Sequence, residues 1–247
     1  MAANQLVHAV RQQLGIGRIL PLGGPADGAW ITERAAAGAL RAAARPLTGV
    51  RVDALRLSLA DPDAAPEPSV PPPPSALPPG PLRVEAEFAA TAARPVPAVA
   101  ALLRETLLTC AGDGLGLVVA AVDLRMTELL DELPEEDGPG EGDEPPEGSA
   151  ADGARDEDGS GASADALIAA IRRVPGVTRT APALGGPSRG VRREGDHALV
   201  QVAVSARRRA LDVALGVREA VAAAAGAPLT VAVLVTGVDR VGDKGRG

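Results

Sequence analysis

The residues that could carry acid–base or metal chemistry in this 247-residue chain are few and scattered. Glu85 and Glu87 lie two positions apart in an alternating segment, so a strand would place both carboxylates on one face. Two carboxylates so close can raise one pKa, but the same spacing is typical of the solvent face of an amphipathic strand, which we favour. Cys110 has no histidine near it in the sequence, although a thiol nucleophile requires a neighbouring base. We therefore expect a non-enzymatic protein with no catalytic residue, no metal site and no cofactor.

The densest basic group lies in the C-terminal third of the chain. Arg207, Arg208 and Arg209 precede a predicted helix, and Arg192 and Arg193 lie in the preceding loop. Guanidinium groups beside a helix N-terminus favour anions, so these five arginines are a candidate anion-binding site. Recognition of single-stranded nucleic acid usually adds aromatic stacking platforms, and the chain has one Trp, one Phe and no Tyr. We favour a solvated or intramolecular role over nucleic-acid recognition.

Trp30 lies where two short extended segments meet a helix, for which Thr32 is the predicted N-cap. As the single tryptophan it is a candidate interaction residue, because tryptophan often anchors protein partners. The alternative, which we favour, is that it closes the edge of a core.

The acidic residues are concentrated in one segment. Residues 131–160 contain thirteen acidic residues and one Arg, a net charge of −12, against −1 for residues 1–130 and +6 for residues 161–247. Such a segment cannot bury enough apolar surface to offset its ordering entropy, so we predict a disordered linker. We further hypothesise that it screens the arginines of the C-terminal third.

Stretches with the same order of predicted elements lie on either side of this linker. Each begins with an Ala-rich helix that ends at a turn, LTGV or VPGV, where Gly49 and Gly176 suit a left-handed backbone. Two strands, a helix and a closing strand follow. Alternation marks the second of these strands as half-buried, with Leu82, Val84 and Phe88 in the first copy and Val200, Val202 and Val204 in the second. The fold class predicted is α+β: two similar small lobes (helix-strand-strand-helix-strand) from internal duplication, joined by a disordered acidic linker.

The domain map follows from these segments. It comprises an N-terminal helix and extended segment (1–34), a first α+β lobe (35–130), the acidic linker (131–162), a second α+β lobe (163–240) and a flexible tail (241–247). The N-terminal helix is predicted to be amphipathic and to span Gln5–Leu14. Within the first lobe, the proline-rich residues 61–81 are predicted to form extended polyproline II structure. The two lobes are expected to pack together as an intramolecular pseudo-dimer.

Cysteine usage and hydropathy indicate the compartment. One cysteine allows no intramolecular disulfide, and no apolar run approaches the roughly 20 residues of a membrane span. We expect a cytoplasmic protein without a transmembrane segment, with peripheral membrane attachment as an alternative.

Several segments resemble the alkaline-shock, cell-envelope-stress family of small bacterial proteins. They are GAWITERAAAGALRAAARPLTGV, LRVEAEF, PVPAVAALLRETL and GLGLVVAAVDLRM, and the second lobe repeats the pattern as IRRVPGV and APLTVAVLV. The two-lobe arrangement is also similar to a set of actinobacterial proteins often labelled after a nucleopolyhedrovirus fibrous-body protein. The family's Tyr-Gly pair before the second helix is replaced here by residues 91–94 and 205–208.

This resemblance implies a scaffold that assembles through its lobes and is held at the envelope by an integral membrane partner. The function expected is therefore a non-enzymatic scaffold or interaction protein linked to envelope stress, with protein partners. The alternative is a nucleic-acid or anionic-membrane binding module that uses the basic second lobe.

Overall fold

The computed structural model describes residues 17–131, 164–183 and 190–240. The amphipathic helix predicted at Gln5–Leu14, the acidic segment after Asp131 and the tail 241–247 lie outside the described residues.

The described residues form an α+β fold with four α-helices and nine strands. In chain order these are β1 (Ile19–Pro21), β2 (Ala29–Thr32), α1 (Glu33–Ala44), β3 (Val50–Leu59), β4 (Leu82–Thr91), α2 (Val96–Thr109), β5 (Val119–Leu130), α3 (Ala164–Arg173), β6 (Val177–Thr180), β7 (Val191–Glu194), β8 (His197–Ser205), α4 (Ala210–Ala224) and β9 (Thr230–Asp239). A π-helical turn, Cys110–Leu115, extends α2. None of the helices in these ranges has the length and apolar character of a membrane-spanning segment.

The strands form two mixed sheets. The three-stranded sheet has the order β3-β4-β5, with β3 antiparallel to β4 and β4 parallel to β5. The six-stranded sheet has the order β1-β2-β9-β8, and β6 and β7 both pair with the far side of β8. Within it β9 is parallel to both β8 and β2, so the N-terminal hairpin β1–β2 joins the sheet built by the C-terminal residues.

One hydrophobic core connects the two sheets. It contains Leu40 of α1, Phe88 of β4, Leu103 of α2, Ile171 of α3 and Val217 of α4, all essentially inaccessible to solvent. Helix α1 contacts both β3 and β9, and its buried face is largely alanine, which allows the backbones to approach closely. Burial of the inward face of β4 confirms the alternation predicted for that strand.

Two glycines make the closest junction between the sheets possible. Gly23 N donates to Gly116 O at 3.1 Å, and both residues have positive φ, 82° and 91°. A Cβ on Gly116 would lie 2.5 Å from Leu211 Cβ, so only glycine lets α4 approach the π-helical turn. On the other side, Arg218 of α4 donates to the carbonyl of Ala26 at 3.0 Å and to that of Asp27.

The start of α1 agrees with the sequence prediction. Thr32 Oγ1 accepts a hydrogen bond from Ala35 N at 3.2 Å, which is the N-cap geometry predicted for this residue. The two extended segments before it are β1 and β2, joined by the Gly- and Pro-containing turn.

The centre of the six-stranded sheet, formed by β2, β8 and the first half of β9, is buried on both faces. Alternation indicated a half-buried β8, yet all its residues from Ala198 to Val204 are buried. One reason is the proline-rich segment, which packs against the back of this sheet around Trp30, Leu199 and Leu234. Ser69 N donates to Pro25 O at 3.0 Å, Leu77 N donates to Ile19 O at 2.8 Å, and Val70 is buried between these anchors.

Candidate interaction surface

Most sheet edges in the described residues are covered or very short. At β3, Glu33 Oε1 accepts from Leu57 N and Arg18 Nη1 donates to Leu57 O, both at 3.0 Å. At β1 the edge is met by the proline-rich segment, through a bridge between Ile19 and Ala76. Strands β6 and β7 have four residues each. These are the usual devices that protect an edge from pairing with another chain.

The outer edge of β9 is covered by β2. Val233 N donates to Gly28 O at 3.0 Å, and Ala29, Trp30 and Ile31 pair in parallel with β9. The middle of the closing strand of the six-stranded sheet, residues 233–235, is therefore internal.

Strand β5, the closing strand of the three-stranded sheet, has an open outer edge. It is twelve residues long, and among residues 17–131, 164–183 and 190–240 no strand pairs with the side opposite β4. Met126 and Leu129 on this strand are 37% and 55% exposed, and Val118 just before it is also exposed. A long edge with exposed apolar side chains is a ready template for pairing with another chain.

The backbone groups that face outward on β5 can be assigned. Arg104 Nε donates to Val122 O at 3.4 Å, and a side chain can reach a β5 carbonyl only on the edge that β4 does not occupy. Because backbone groups alternate along a strand, the N–H and C=O of Leu124 also point outward. Arg104 of α2 thus occupies one backbone acceptor of this edge, the carbonyl of Val122.

The solvent face of the three-stranded sheet is a network of ion pairs. Arg83 Nη1 lies 2.5 Å from Asp123 Oδ2, and Arg125 Nη1 lies 3.3 Å from Glu87 Oε1. Arg51 pairs with Asp53 at 2.6 Å and with Glu128 at 3.5 Å, and the hydrogen bond to Asp53 raises the pKa of Arg51. Exposed pairs of this kind add little stability singly.

The paired carboxylates considered for acid–base work, Glu85 and Glu87, belong to this charged face. Both lie on β4 opposite its buried side chains, and Glu87 is bound to Arg125. Their placement matches the solvent-face interpretation.

The structure does not bring the five candidate arginines together. Arg192 and Arg193 are on β7, not in a loop, opposite Leu199 and Ala198 at the start of β8. Arg207, Arg208 and Arg209 follow the other end of β8, six strand residues or roughly 20 Å away. The five arginines therefore do not form the single corner predicted from sequence, because consecutive pairing of β7 with β8 separates the two groups. Anion binding by either group stays a prediction.

Two of these arginines, Arg208 and Arg209, lie beside the turn that follows α3. Arg172 and Arg173 end α3 beside the Pro175–Gly176 turn, which packs against Arg208. A shallow pocket of about 280 Å³ is lined there by Pro175, Arg208, Arg209, Asp212 and Val213. Arg209 is already engaged, since its Nε donates to Gly112 O at 3.1 Å and its Nη1 lies 3.3 Å from Asp212.

Trp30 is not a surface anchor in this structure. Its side chain is 1% exposed and lies in a small cluster with Val70, Leu199 and Leu234 on the back of the six-stranded sheet. Among the described residues, the Nε1 of Trp30 has no hydrogen-bond partner. The proline-rich segment covers this position, so a partner cannot reach the indole without displacing it.

Cys110 is a half-buried thiol. Its Sγ lies 3.7 Å from Ala39 O, and burial raises its pKa. Within the described residues no three His, Cys, Asp or Glu side chains are grouped to hold a metal ion.

Comparison with known proteins gave no relative. No family model matches this chain, and neither the curated proteins nor the solved structures contain a significant match.

Proposed function

We propose that this protein is a non-enzymatic interaction scaffold and that a protein partner binds it by adding a strand to the outer edge of β5. The observation that carries the proposal is the contrast between this edge and those of β9 and β3. Strand β2 pairs with the middle of β9, and Glu33 and Arg18 occupy the backbone groups of Leu57 on β3. Added strands gain main-chain hydrogen bonds, while side chains beside the edge give specificity. Met126 and Leu129 supply exposed apolar contacts for such a partner.

We also propose that the scaffold arose by duplication and is a distant relative of the alkaline-shock family. Two corresponding hydrogen bonds support this: Thr91 N donates to Gly49 O at 3.0 Å, and Ser205 N donates to Gly176 O at 2.8 Å. The parallel pairing of β4 with β5 also has a bulge after Phe88, and that of β8 with β9 has one after Val202. Attachment to the envelope through an integral membrane partner is the role that this relationship suggests.

The test compares two full-length variants with matched chemistry. Met126→Lys places a charge on the open strand, whereas Leu108→Lys replaces an equally exposed apolar residue of α2. Each is used as bait with membrane and soluble fractions of the native host.

We expect partners captured by the parent chain to be lost with Met126→Lys and retained with Leu108→Lys. An identical set of partners with both variants would overturn the β5 edge as the binding surface.

A second candidate function is binding of anionic polymers by the arginines around Pro175. In the described residues, no ion pair to Arg172, Arg173, Arg207 or Arg208 is present, and all four are exposed. Unneutralised guanidinium groups attract phosphates with a strong dependence on salt.

This candidate is tested by heparin chromatography of the full chain. Arg207→Gln with Arg208→Gln should elute at lower salt than the parent, whereas Arg192→Gln with Arg193→Gln, at the other end of β8, should not. Equal elution of both double variants would refute a site at this corner.

A further inference from the structure

We propose that the partner strand at β5 is β5 of a second copy of this chain, paired antiparallel about a two-fold axis at Leu124. This inference rests on the proposed function and names its partner. The two three-stranded sheets would then form one continuous six-stranded sheet.

The backbone geometry supports Leu124 as the centre. Its N–H and C=O point to the outer edge, as argued from the bond between Arg104 and Val122 O. The corresponding residue of the other sheet is Val233, because each residue lies two positions before the bulge in its parallel strand pair. Leu124 lies opposite Ala86, and Val233 lies opposite Val200. The N–H of Val233 does point outward, to Gly28 O. Two outward-facing Leu124 residues would exchange both backbone hydrogen bonds across the axis.

The side chains around Leu124 are self-complementary in this register. Asp123 of one copy lies opposite Arg125 of the other, and opposite charges across a strand pair are favourable. Both residues are exposed, and the new pair would extend the existing contacts of Asp123 with Arg83 and of Arg125 with Glu87. A row of alternating charge would therefore cross the joined sheets.

The inward-facing side chains match as well. Val122 of one copy lies opposite Met126 of the other, so the register places apolar beside apolar. A shift of one residue would instead set Arg125 opposite Leu124 and lose both matches. This dependence on a single register favours a second copy, since an unrelated strand has no reason to match it.

One contact must be released on pairing. Arg104 Nε would have to leave Val122 O, because that carbonyl becomes an acceptor for Met126 N of the second copy. This exchange of one hydrogen bond for another opposes the association only weakly.

The register is tested by disulfide trapping of the full chain in a Cys110→Ser background, which removes the native thiol. Leu124→Cys places two thiols at the axis, where hydrogen-bonded residues have Cα atoms about 5.5 Å apart, within disulfide range. With Val122→Cys alone or Met126→Cys alone, the thiols of the two copies would lie several residues apart along the paired strands.

We expect a covalent dimer from Leu124→Cys, none from either flanking variant alone, and a covalent dimer when the two flanking variants are mixed. Equal trapping of all three single variants, or of none of them, would overturn the proposed pairing.

Sedimentation measures the association without oxidation. The parent chain should show a concentration-dependent monomer–dimer equilibrium, and Met126→Lys should raise its Kd at least tenfold, while Leu108→Lys leaves it unchanged. A strictly monomeric parent chain would refute the dimer.

Failure of this inference is distinguishable from failure of the proposed function. A monomeric chain that still loses host partners with Met126→Lys would retain the β5 edge as a surface for another protein. If the chain forms the dimer but Met126→Lys leaves the captured host partners unchanged, pairing with a second copy is supported. The proposal that other proteins bind at the β5 edge is then refuted.

Discussion

Two residues at corresponding places in the two sheets have opposite surroundings. Val233 on β9 donates its N–H to Gly28, next to β2, which pairs with residues 233–235 of β9. Leu124 on β5 has its N–H at an edge where, among the described residues, no strand lies. In the first case the chain's own N-terminal hairpin provides the neighbouring strand.

The contrast shows that covering an edge here takes more than one strand. The hairpin on β9 is held by Arg218 from α4 and by the proline-rich segment behind it. On β5 the single contact at the edge from a side chain in the described residues is Arg104. An edge without these supports is available for a second chain.

The largest loss of stability is expected at Trp30, which is buried on β2 beside the covered edge of β9. Trp30→Ala should lower the free energy of unfolding by about 3–5 kcal/mol, because it leaves a cavity between the sheet and the proline-rich segment. Leu129→Ala on the open strand should change it by less than about 0.5 kcal/mol. Urea unfolding followed by far-UV circular dichroism measures both.

Trp30→Phe is the matched control for this cavity. Since the indole Nε1 has no hydrogen-bond partner, phenylalanine should retain most of the stability. A loss with Trp30→Phe as large as with Trp30→Ala would show that the packing account of this cluster is wrong.

The junction between the sheets gives the next effect. Gly116→Ala should destabilise the protein by about 2–4 kcal/mol, because its φ is positive and the new Cβ would overlap Leu211. Gly226→Ala has a positive φ but open space around it and should lose only about 1 kcal/mol. Equal losses in thermal unfolding would mean that the close approach at Leu211 is unimportant.

Local patterns predicted much of this fold. The alternation around Phe88, the cap at Thr32 and the turns at Gly49 and Gly176 all depend on neighbouring residues, and each is present in the structure. Interactions between distant segments were not predictable in the same way. The burial of Trp30 depends on Val70, and no periodicity relates the two.

The candidate site was missed for the same reason. The sequence predicts a closing strand at β5, but an open edge is a property of strand order and of which other segments reach it. The sequence predicts one corner for the five arginines because it places Arg192 and Arg193 in a loop. In the structure, residues 191–194 form β7 and pair along β8.

A smaller effect is expected at the covered edge of β3. Glu33→Ala removes the acceptor for Leu57 N and should cost about 1–2 kcal/mol of stability. Glu33→Gln retains a carbonyl oxygen there and should lose less. Guanidinium unfolding of the two variants measures which loses more stability. An equal loss would show that Glu33 stabilises the start of α1 through its charge, and not the edge of β3 through its hydrogen bond.

The smallest effect concerns Cys110, the half-buried first residue of the π-helical turn that extends α2. Burial raises its pKa, so at pH 8 the native thiol should alkylate at least tenfold more slowly than in urea. A raised pKa stabilises the fold at pH values below the thiol pKa of the unfolded chain, and this contribution is lost as pH rises through the folded pKa. Equal rates in native and unfolded protein would contradict the burial.

Amide hydrogen exchange at Leu124 and Val233, resolved by NMR, tests the central claim most directly. In dilute solution Leu124 should exchange at least a hundredfold faster than Val233, and its protection should rise with protein concentration as second copies pair with β5. Equal and concentration-independent protection at the two residues would contradict an open edge at β5.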